Sequence, residues 1–533
     1  MTGVTALNGA VLGLLMIAAI MSWPLTWWLL RRYRRTVVRA MQRRSAHATS
    51  DWVPAINDVG FTRVPSDADG TVTAADEPSQ LTRRAAQASV DDARLLRRDV
   101  WRRYALAGCI AATVLTVATF LSAGIEFLPW RTAIVWVVYA WPLVLTAVIL
   151  SGFNRGTVVR AVMVHFAILL ALAAAAGNTM GGVLLWLLMA GPPTAVVAPY
   201  LHRSVRAVGV IVVLFVLVGL LGADALVSFV GGSDERIMSV ATIASGLGVG
   251  GVAAFVALIA IGFLVTSVLA WFGLDRLGHA YREGLPDQLV LIGAVWGVFA
   301  AAQGIPLAHE SLAWAATTPV AFIAFWLVAS RPLGRHRMTA APRLLVLRIF
   351  SLGRQSEDLF RRVVTDWQYV GPVRLIGGPD LARTTVEPDE FLTFAAGKLE
   401  QLFIATPEQF EQQRTTTDAT RDRHGRYRVQ EFLCFDNTWR HVVRGLMRDS
   451  DLVLMDVRGF AAGNDGARHE LTMLARAGML ERTTLVIDGN TDRELIAAAI
   501  VQGGGAVAQA TLITPPGDDG VSGTDLVGAL PAA

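Results

Sequence analysis

The side chains best placed to do chemistry lie in the stretch 450–474, SDLVLMDVRGFAAGNDGARHELTML. Asp456 closes an apolar run, Arg458 follows it, and Glu470 comes after a glycine-rich loop. A carboxylate at the end of an apolar strand needs a partner. Arg458 can be that partner, which makes the pair structural, or the two can face a ligand together. Glu470 has two roles open to it. As a first-turn glutamate it is favoured by the helix dipole; beside a cleft, the same carboxylate binds a ligand or takes part in catalysis. Ser351, Asp380, Asp436, Asp465 and Asp488 are expected at the same edge, with turn and cap roles accounting for Asp465 and Asp488.

The elements that must hold these residues follow from the pattern. Residues 451–457 have the apolar continuity of a buried parallel strand. A loop over 458–466 places Asn464 and Asp465 to cap a helix over 467–478. Glu470 then falls in the first turn, near the carboxyl edge of the strand, where open α/β sheets bind ligands. Further strands are expected at 344–350, 373–376, 427–435, 483–487 and 507–513. Helices are expected at 355–367, 387–404 and onward past Pro407, 439–447, and from 492 to 501. This alternation predicts a cytosolic, doubly wound parallel α/β domain over 340–514 with a loose tail at 515–533.

The preceding half is a different material. The chain of 533 residues is 53% hydrophobic and 17% charged, with a mean hydropathy of +0.47. That is too apolar for a globular soluble protein and predicts an α-helical polytopic membrane domain. The apolar segment 6–30 is followed by Arg31-Arg32-Tyr33-Arg34-Arg35, with no positive charge before it. It reads as an uncleaved first helix within 1–35, amino terminus outside. A cytosolic stretch, 36–103, holds a disordered loop near 67–80 and a basic amphipathic helix at 81–103. A bundle over 104–331 supplies spans near 104–123, 132–152, 161–176, 181–200, 207–222, 249–272, 288–303 and 315–330, about nine helices in all with the first. Arg102, Arg103, Arg155, Arg160, Arg203, Arg206, Arg276, Arg282, Arg331, Arg335 and Arg337 fall on one side, and the other carries only Arg131 and Arg236 alongside Glu126, Asp224, Asp234, Glu235 and Glu310. The positive-inside rule puts the α/β domain in the cytoplasm, and a bacterial inner membrane is the expected location. The stretch 237–272 is too long for one straight span, and Gly246, Gly248, Gly250 and Gly251 are expected to break it or to let it pack closely.

No charged residue stands at the middle of a span, so ion coupling has no evident carrier; His165 is expected to pack. The basic residues gather beside apolar segments, which points to a bilayer as partner and away from nucleic acid. Cys109 and Cys434 cannot build a metal site or a disulfide framework. No P-loop, HExxH, paired CxxC or GxSxG motif occurs.

WRHVVRGLMRDSDLVLMDV, then a loop and GARHELTML, resembles the middle of a Toll/interleukin-1 receptor (TIR) domain. RLLVLRIFSLGRQSEDLFRRV is similar to the first strand and helix of that flavodoxin-like fold, and PVRLIGGPDLA to its second strand and the loop beyond. Gly466 and Ala467 stand where the family often has an aromatic residue, and extra chain lies between Ala382 and Phe435. The same region is also similar to nucleoside deoxyribosyltransferases, in which a glycine precedes a Glu-Leu pair by four residues, as Gly466 precedes Glu470; Thr472 replaces their usual small residue. The resemblance implies that Glu470 is the catalytic carboxylate of an NAD glycohydrolase, with Phe350 and Ser351 lining a nucleotide pocket and Asp380, Asp456 and Arg458 beside it. NAD or another nucleotide would be the substrate or ligand, and self-association of the cytosolic domains would activate an effector or sensor. The alternatives are a non-enzymatic signalling or scaffold protein and a transporter with a regulatory cytosolic domain.

Overall fold

The computed structural model describes residues 2–44, 78–152, 155–177, 194, 198–201, 205–282, 284–332, 341–349, 354–377, 388–415 and 421–514. The chain divides into two compact units. The first comprises Met1–Tyr33, Asp99–Arg331 and Val386–Thr393; the second comprises Arg34–Arg98, Pro332–Thr385 and Phe394–Ala533.

The first unit is helical. Its helices are α1 (Thr2–Met41), α2 (Pro78–Ser122), α3 (Pro129–Tyr139), α4 (Pro142–Leu150), α5 (Arg155–Ala175), α6 (Arg206–Gly231), α7 (Asp234–Gly246), α8 (Gly251–Arg282), α9 (Asp287–Glu310), α10 (Leu312–Ala315) and α11 (Thr317–Ala329). Among the described residues, five helices are long and apolar enough, by length and composition, to cross a membrane: Arg94–Ser122, Gly156–Ala175, Val208–Gly231, Gly251–Tyr281 and Asp287–Gly304. Helices α3 and α4, bent by 42°, make a sixth if counted as one broken span; Pro142, which has no N–H to donate, stands at the bend. Among the described residues the expected count of about nine is therefore not reached. The segment expected at 315–330 is a shorter apolar helix, Ala313–Ala329. The one expected at 181–200 lies largely outside the described residues, as do 67–77 of the expected disordered loop and the tail 515–533.

The glycines of 246–251 do break the chain. Helix α7 stops at Gly246, α8 starts at Gly251, and Gly248 between them has φ +69°, a conformation glycine adopts without strain. Helix α8 then packs on α6 at backbone distance. A Cβ on Gly262 would lie 2.6 Å from the Gly222 carbonyl oxygen and 2.8 Å from the Ala223 Cα, so only glycine fits there. Several threonines in this unit bond back along their own helices, while Trp136, Trp141 and Trp296 donate to Thr113, Thr194 and Thr146 from other segments. Thr116 donates to the Ala112 carbonyl, Thr146 to that of Pro142, and Thr266 to that of Gly262. His165 is buried, edge-on to the Trp141 ring with centroids 5.3 Å apart.

The second unit is built on a fully parallel sheet of seven strands: β1 (Leu344–Arg348), β2 (Val373–Gly377), β3 (Phe403–Ile404), β4 (Val429–Cys434), β5 (Leu452–Asp456), β6 (Thr483–Val486) and β7 (Thr511–Ile513), in the order β3-β4-β2-β1-β5-β6-β7. The helices of this half of the chain are α12 (Arg354–Trp367), α13 (Pro388–Ala395, which falls mostly within the first unit's Val386–Thr393 segment), α14 (Pro407–Thr415), α15 (Trp439–Arg448), α16 (Asp465–Arg476) and α17 (Arg493–Gln502). Six strands are expected from the sequence; β3 is the seventh. It stands where the helix over 387–404 was expected to continue, because Gly397 at φ +75° ends that helix first. The extra chain after Ala382 thus adds β3 and β4 outside β2.

Strand alternation sorts the core into two layers. Leu345, Leu347 and Ile349 of the β1 segment and Val453, Met455 and Val457 of the β5 segment join Val442, Leu446, Leu471, Leu474, Ile496 and Ile500 on one face. Leu344, Val346, Leu452 and Leu454 meet Leu359, Val363 and Trp367 of α12 on the other. The chain leaves β1 toward β2 and later returns to β5 on the opposite side. The topological switch point, where open α/β sheets bind ligands, is therefore the gap beyond β1 and β5.

Candidate functional site

At that switch point two charged residues lie side by side. Arg348 ends β1, Asp456 ends β5, and the register pairs them directly. Both are buried, at 5% and 3% exposure. Arg458 closes back on Asp456 in a bidentate pair, Nε to Oδ1 and Nη2 to Oδ2, both at 2.8 Å. This is the partner that a carboxylate in so dry a place requires. Arg348 is the residue that sequence reasoning missed. It ends the run LLVLR as Asp456 ends LVLMD, so the argument that singled out Asp456 applies to it equally.

The loop after β5 is tied to the loop after β6. Asp488 Oδ1 accepts from the Gly459 N–H at 3.0 Å, the Asn490 N–H at 3.1 Å and the Thr491 hydroxyl at 2.7 Å. Burial alone would push the Asp488 carboxyl up. The hydrogen bonds from Gly459, Thr491 and Asn490, with the Arg458 charge, outweigh it and hold the carboxyl below its ordinary value. Asp488 therefore organises a turn. Capping of α17 falls to Asp492, which accepts from the Glu494 and Leu495 N–H groups at 3.1 Å each. Asp465 pairs with Arg468 on the surface. Asp436 also lies at the surface, 3.9 Å from Arg44.

Glu470 is placed differently from the expectation. Helix α16 begins at Asp465, not at 467, so Glu470 is its sixth residue, in the second turn and away from the positive end of the dipole. It shares the core-facing stripe with Ala467, Leu471 and Leu474. Only 4% of it is exposed, and its Oε2 is buried with no hydrogen-bond partner. Burial without a counter-charge pushes its carboxyl up to about 8, so near neutral pH Glu470 is largely a protonated, neutral acid. Beside it, the His469 ring stands edge-on to Trp439 at 5.9 Å. Burial, with Arg440, Arg444 and Arg476 nearby, depresses His469. At Gly466, four residues before Glu470, an added Cβ would meet nothing closer than the Trp439 ring at 4.0 Å. Thr472 is buried and donates to the carbonyls of Arg468 at 3.0 Å and Ala499 at 3.2 Å, which ties α16 to α17.

The expected constellation is thus divided by the sheet. Arg348 and Asp456 alternate onto the α12 face with Leu344, Val346, Leu452 and Leu454, while Glu470 lies in the layer on the opposite face. Phe350, Ser351 and Asp380 lie outside the described residues. Among the described residues no cluster of three His, Cys, Asp or Glu side chains could hold a metal ion.

Fold and site together define a class: a helical unit with several helices apolar enough for a membrane, joined to a parallel α/β unit with a charged switch point. Comparison with protein-family models, with curated proteins and with solved structures finds no match to this chain.

Proposed function

We propose that this chain is a multi-pass bacterial inner-membrane protein whose TIR-like cytosolic domain binds a nucleotide and cleaves the N-glycosidic bond of NAD. The observation that carries the catalytic part is Glu470, a buried carboxyl with an oxygen left unpartnered. A site of that kind lacks positive charge, and NAD brings it. The nicotinamide ring is cationic, and as the C–N bond breaks positive charge moves onto the ribose. A cation beside Glu470 lowers its pKa and leaves a carboxylate, which then stabilises the anomeric carbon or attacks it. Nicotinamide departs with the bonding electron pair, water supplies the new oxygen, and a proton is released. Because Glu470 is only 4% exposed, substrate reaches it once the chain around the start of α16 is displaced. We assign that opening to association between cytosolic domains.

The test is nicotinamide release by purified full-length protein in nanodiscs, clustered through a carboxyl-terminal tag. Glu470→Gln should reduce turnover to background; turnover equal to the wild type removes Glu470 from the mechanism.

One observation favours a second, non-enzymatic function. Asp456 and Arg458 satisfy each other and Glu470 is closed off, as in a sensing module that relays nucleotide binding without chemistry. NAD that slows hydrogen exchange in β5 and α16, with no nicotinamide released, would support this alternative.

A further inference from the structure

Seven arginines fall between residues 31 and 44, and no Asp or Glu occurs before Asp51. They follow directly on the uncharged run 6–30. At a rise of about 1.5 Å per residue a helix over that run is roughly 37 Å long, longer than the roughly 30 Å hydrocarbon core of a bilayer. Helix α1 runs to Met41, so Arg31 to Arg39 are carried on one helix.

The helix has two faces. Leu30, Tyr33, Val37 and Ala40 are buried. Trp28, Arg31, Arg32, Arg35 and Arg39 are exposed. Arg31, Arg35 and Arg39 follow one another at intervals of four, on one side of the helix. Among the described residues these three have no ion pair. The neighbouring basic residues do: Arg43 lies 3.5 Å from Glu400, Arg44 lies 3.9 Å from Asp436, and Arg97 of α2 is held 2.7 Å from Asp366. The tryptophans mark the level of the stripe. Trp23 and Trp28 are 38% and 54% exposed, and the Arg32 guanidinium stands over the Trp28 ring at 5.5 Å. Exposed indoles at the end of an apolar helix sit at the headgroup level of a bilayer.

We propose that this face of α1 is a binding site for anionic phospholipids, with Arg31, Arg35 and Arg39 holding headgroup phosphates below Trp28. The stripe from Arg31 to Arg39 is about 12 Å long. The headgroup layer is roughly 5–8 Å deep, so Arg31 and Arg35 lie within it and Arg39 remains within a screening length. Arginine suits the task, because its planar fork takes two phosphate oxygens at once. A nucleic acid or an acidic protein would satisfy the charge but not the exposed tryptophans that adjoin it. The inference rests on α1 crossing the membrane and is independent of Glu470.

The experiment titrates full-length protein in detergent with phosphatidylglycerol or with phosphatidylcholine and counts bound lipids by native mass spectrometry. Wild type should bind phosphatidylglycerol at least about tenfold more tightly, and more weakly as salt rises. Each arginine removed should weaken binding about fivefold, and R31Q/R35Q/R39Q on the order of a hundredfold. The R31K/R35K/R39K variant should recover most of the loss. Equal affinity for the two lipids, an unaffected triple variant, or displacement by an equal concentration of inorganic phosphate would each overturn the proposal. Should the triple variant fail to fold, the wild-type salt dependence decides, and salt-independent binding counts against it. Failure to associate with either lipid removes the span itself; binding without headgroup preference removes only the site.

Discussion

The two units differ in the charged groups they bury. In the helical unit, buried threonines return their hydroxyls to a carbonyl one turn back, as Thr116 and Thr146 do. Close packing of glycine on backbone, as at Gly262, holds α6 and α8 together. In the α/β unit, ionisable groups are carried inside: Arg348, Arg374, Asp456 and Glu470 are all below 6% exposure. Asp456 has its counter-charge in Arg458, and Arg374 lies 3.6 Å from Asp449. Glu470 has none and is neutralised by a proton instead. A pair tolerates burial because each member solvates the other, whereas a lone acid in a dry layer persists at a standing cost in stability. Among the described residues of the α/β unit, Glu470 is a buried carboxyl whose desolvation no counter-charge offsets.

Four substitutions and one control would break or sharpen this contrast. The largest effect is expected from Asp456→Ala. It breaks the bidentate pair with the half-buried Arg458 and should destabilise the α/β unit by about 3–5 kcal/mol, read as faster hydrogen exchange throughout β5.

Glu470→Gln should act in the other direction. An unfolded glutamate titrates near ~4.3, and folded Glu470 titrates at about 8. Between those values the folded state keeps a proton that the unfolded state has lost, so folding is increasingly opposed as pH rises through this window. The substitution removes that opposition. It should stabilise α16 by about 3 kcal/mol near neutral pH and by almost nothing near about pH 4, measured by exchange of the α16 amides corrected for intrinsic rates. A variant that is more stable yet inactive is the mark of a functional acid. A variant with a flat difference across that window would show that Glu470 ionises normally.

The third substitution moves to the helical unit. Gly262→Ala forces a Cβ against the Gly222 carbonyl and should destabilise the α6/α8 pair by about 1–3 kcal/mol. Gly273→Ala on the same helix, where nothing lies within 4 Å, should be neutral or slightly stabilising. Equal effects of the two in thermal unfolding would mean that α6 and α8 are not closely packed. The smallest effect belongs to Asp492→Ala, which removes the cap of α17 and should cost about 1 kcal/mol, seen as fraying of Glu494 and Leu495 by exchange.

Much of this organisation could be read from local pattern. The glycine break at 246–251 was legible because four glycines interrupt an apolar run too long for one span. The strands at 452–456 and 483–486 were legible because apolar continuity between turn residues has few other uses. Strand β3 was not. It is two residues long, and its place in the sheet comes from pairing with β4 rather than from propensity. The start of α16 is not legible to the residue, because Asp465 has the side chain of a cap and is the first helical residue.

Residue types and periodicity determined that one half of the chain is helical and apolar, that the other alternates strand and helix, and that Asp456 and Glu470 flank a loop. They could not determine on which side of the sheet each residue lies. That depends on strand order. From β1 the chain moves one way to β2, and from β5 it moves the other way to β6. Right-handed crossovers in opposite directions put α12 and α16 on opposite faces. Asp456 thus alternates onto one face while Glu470 is buried in the other, a separation set by pairings between distant segments.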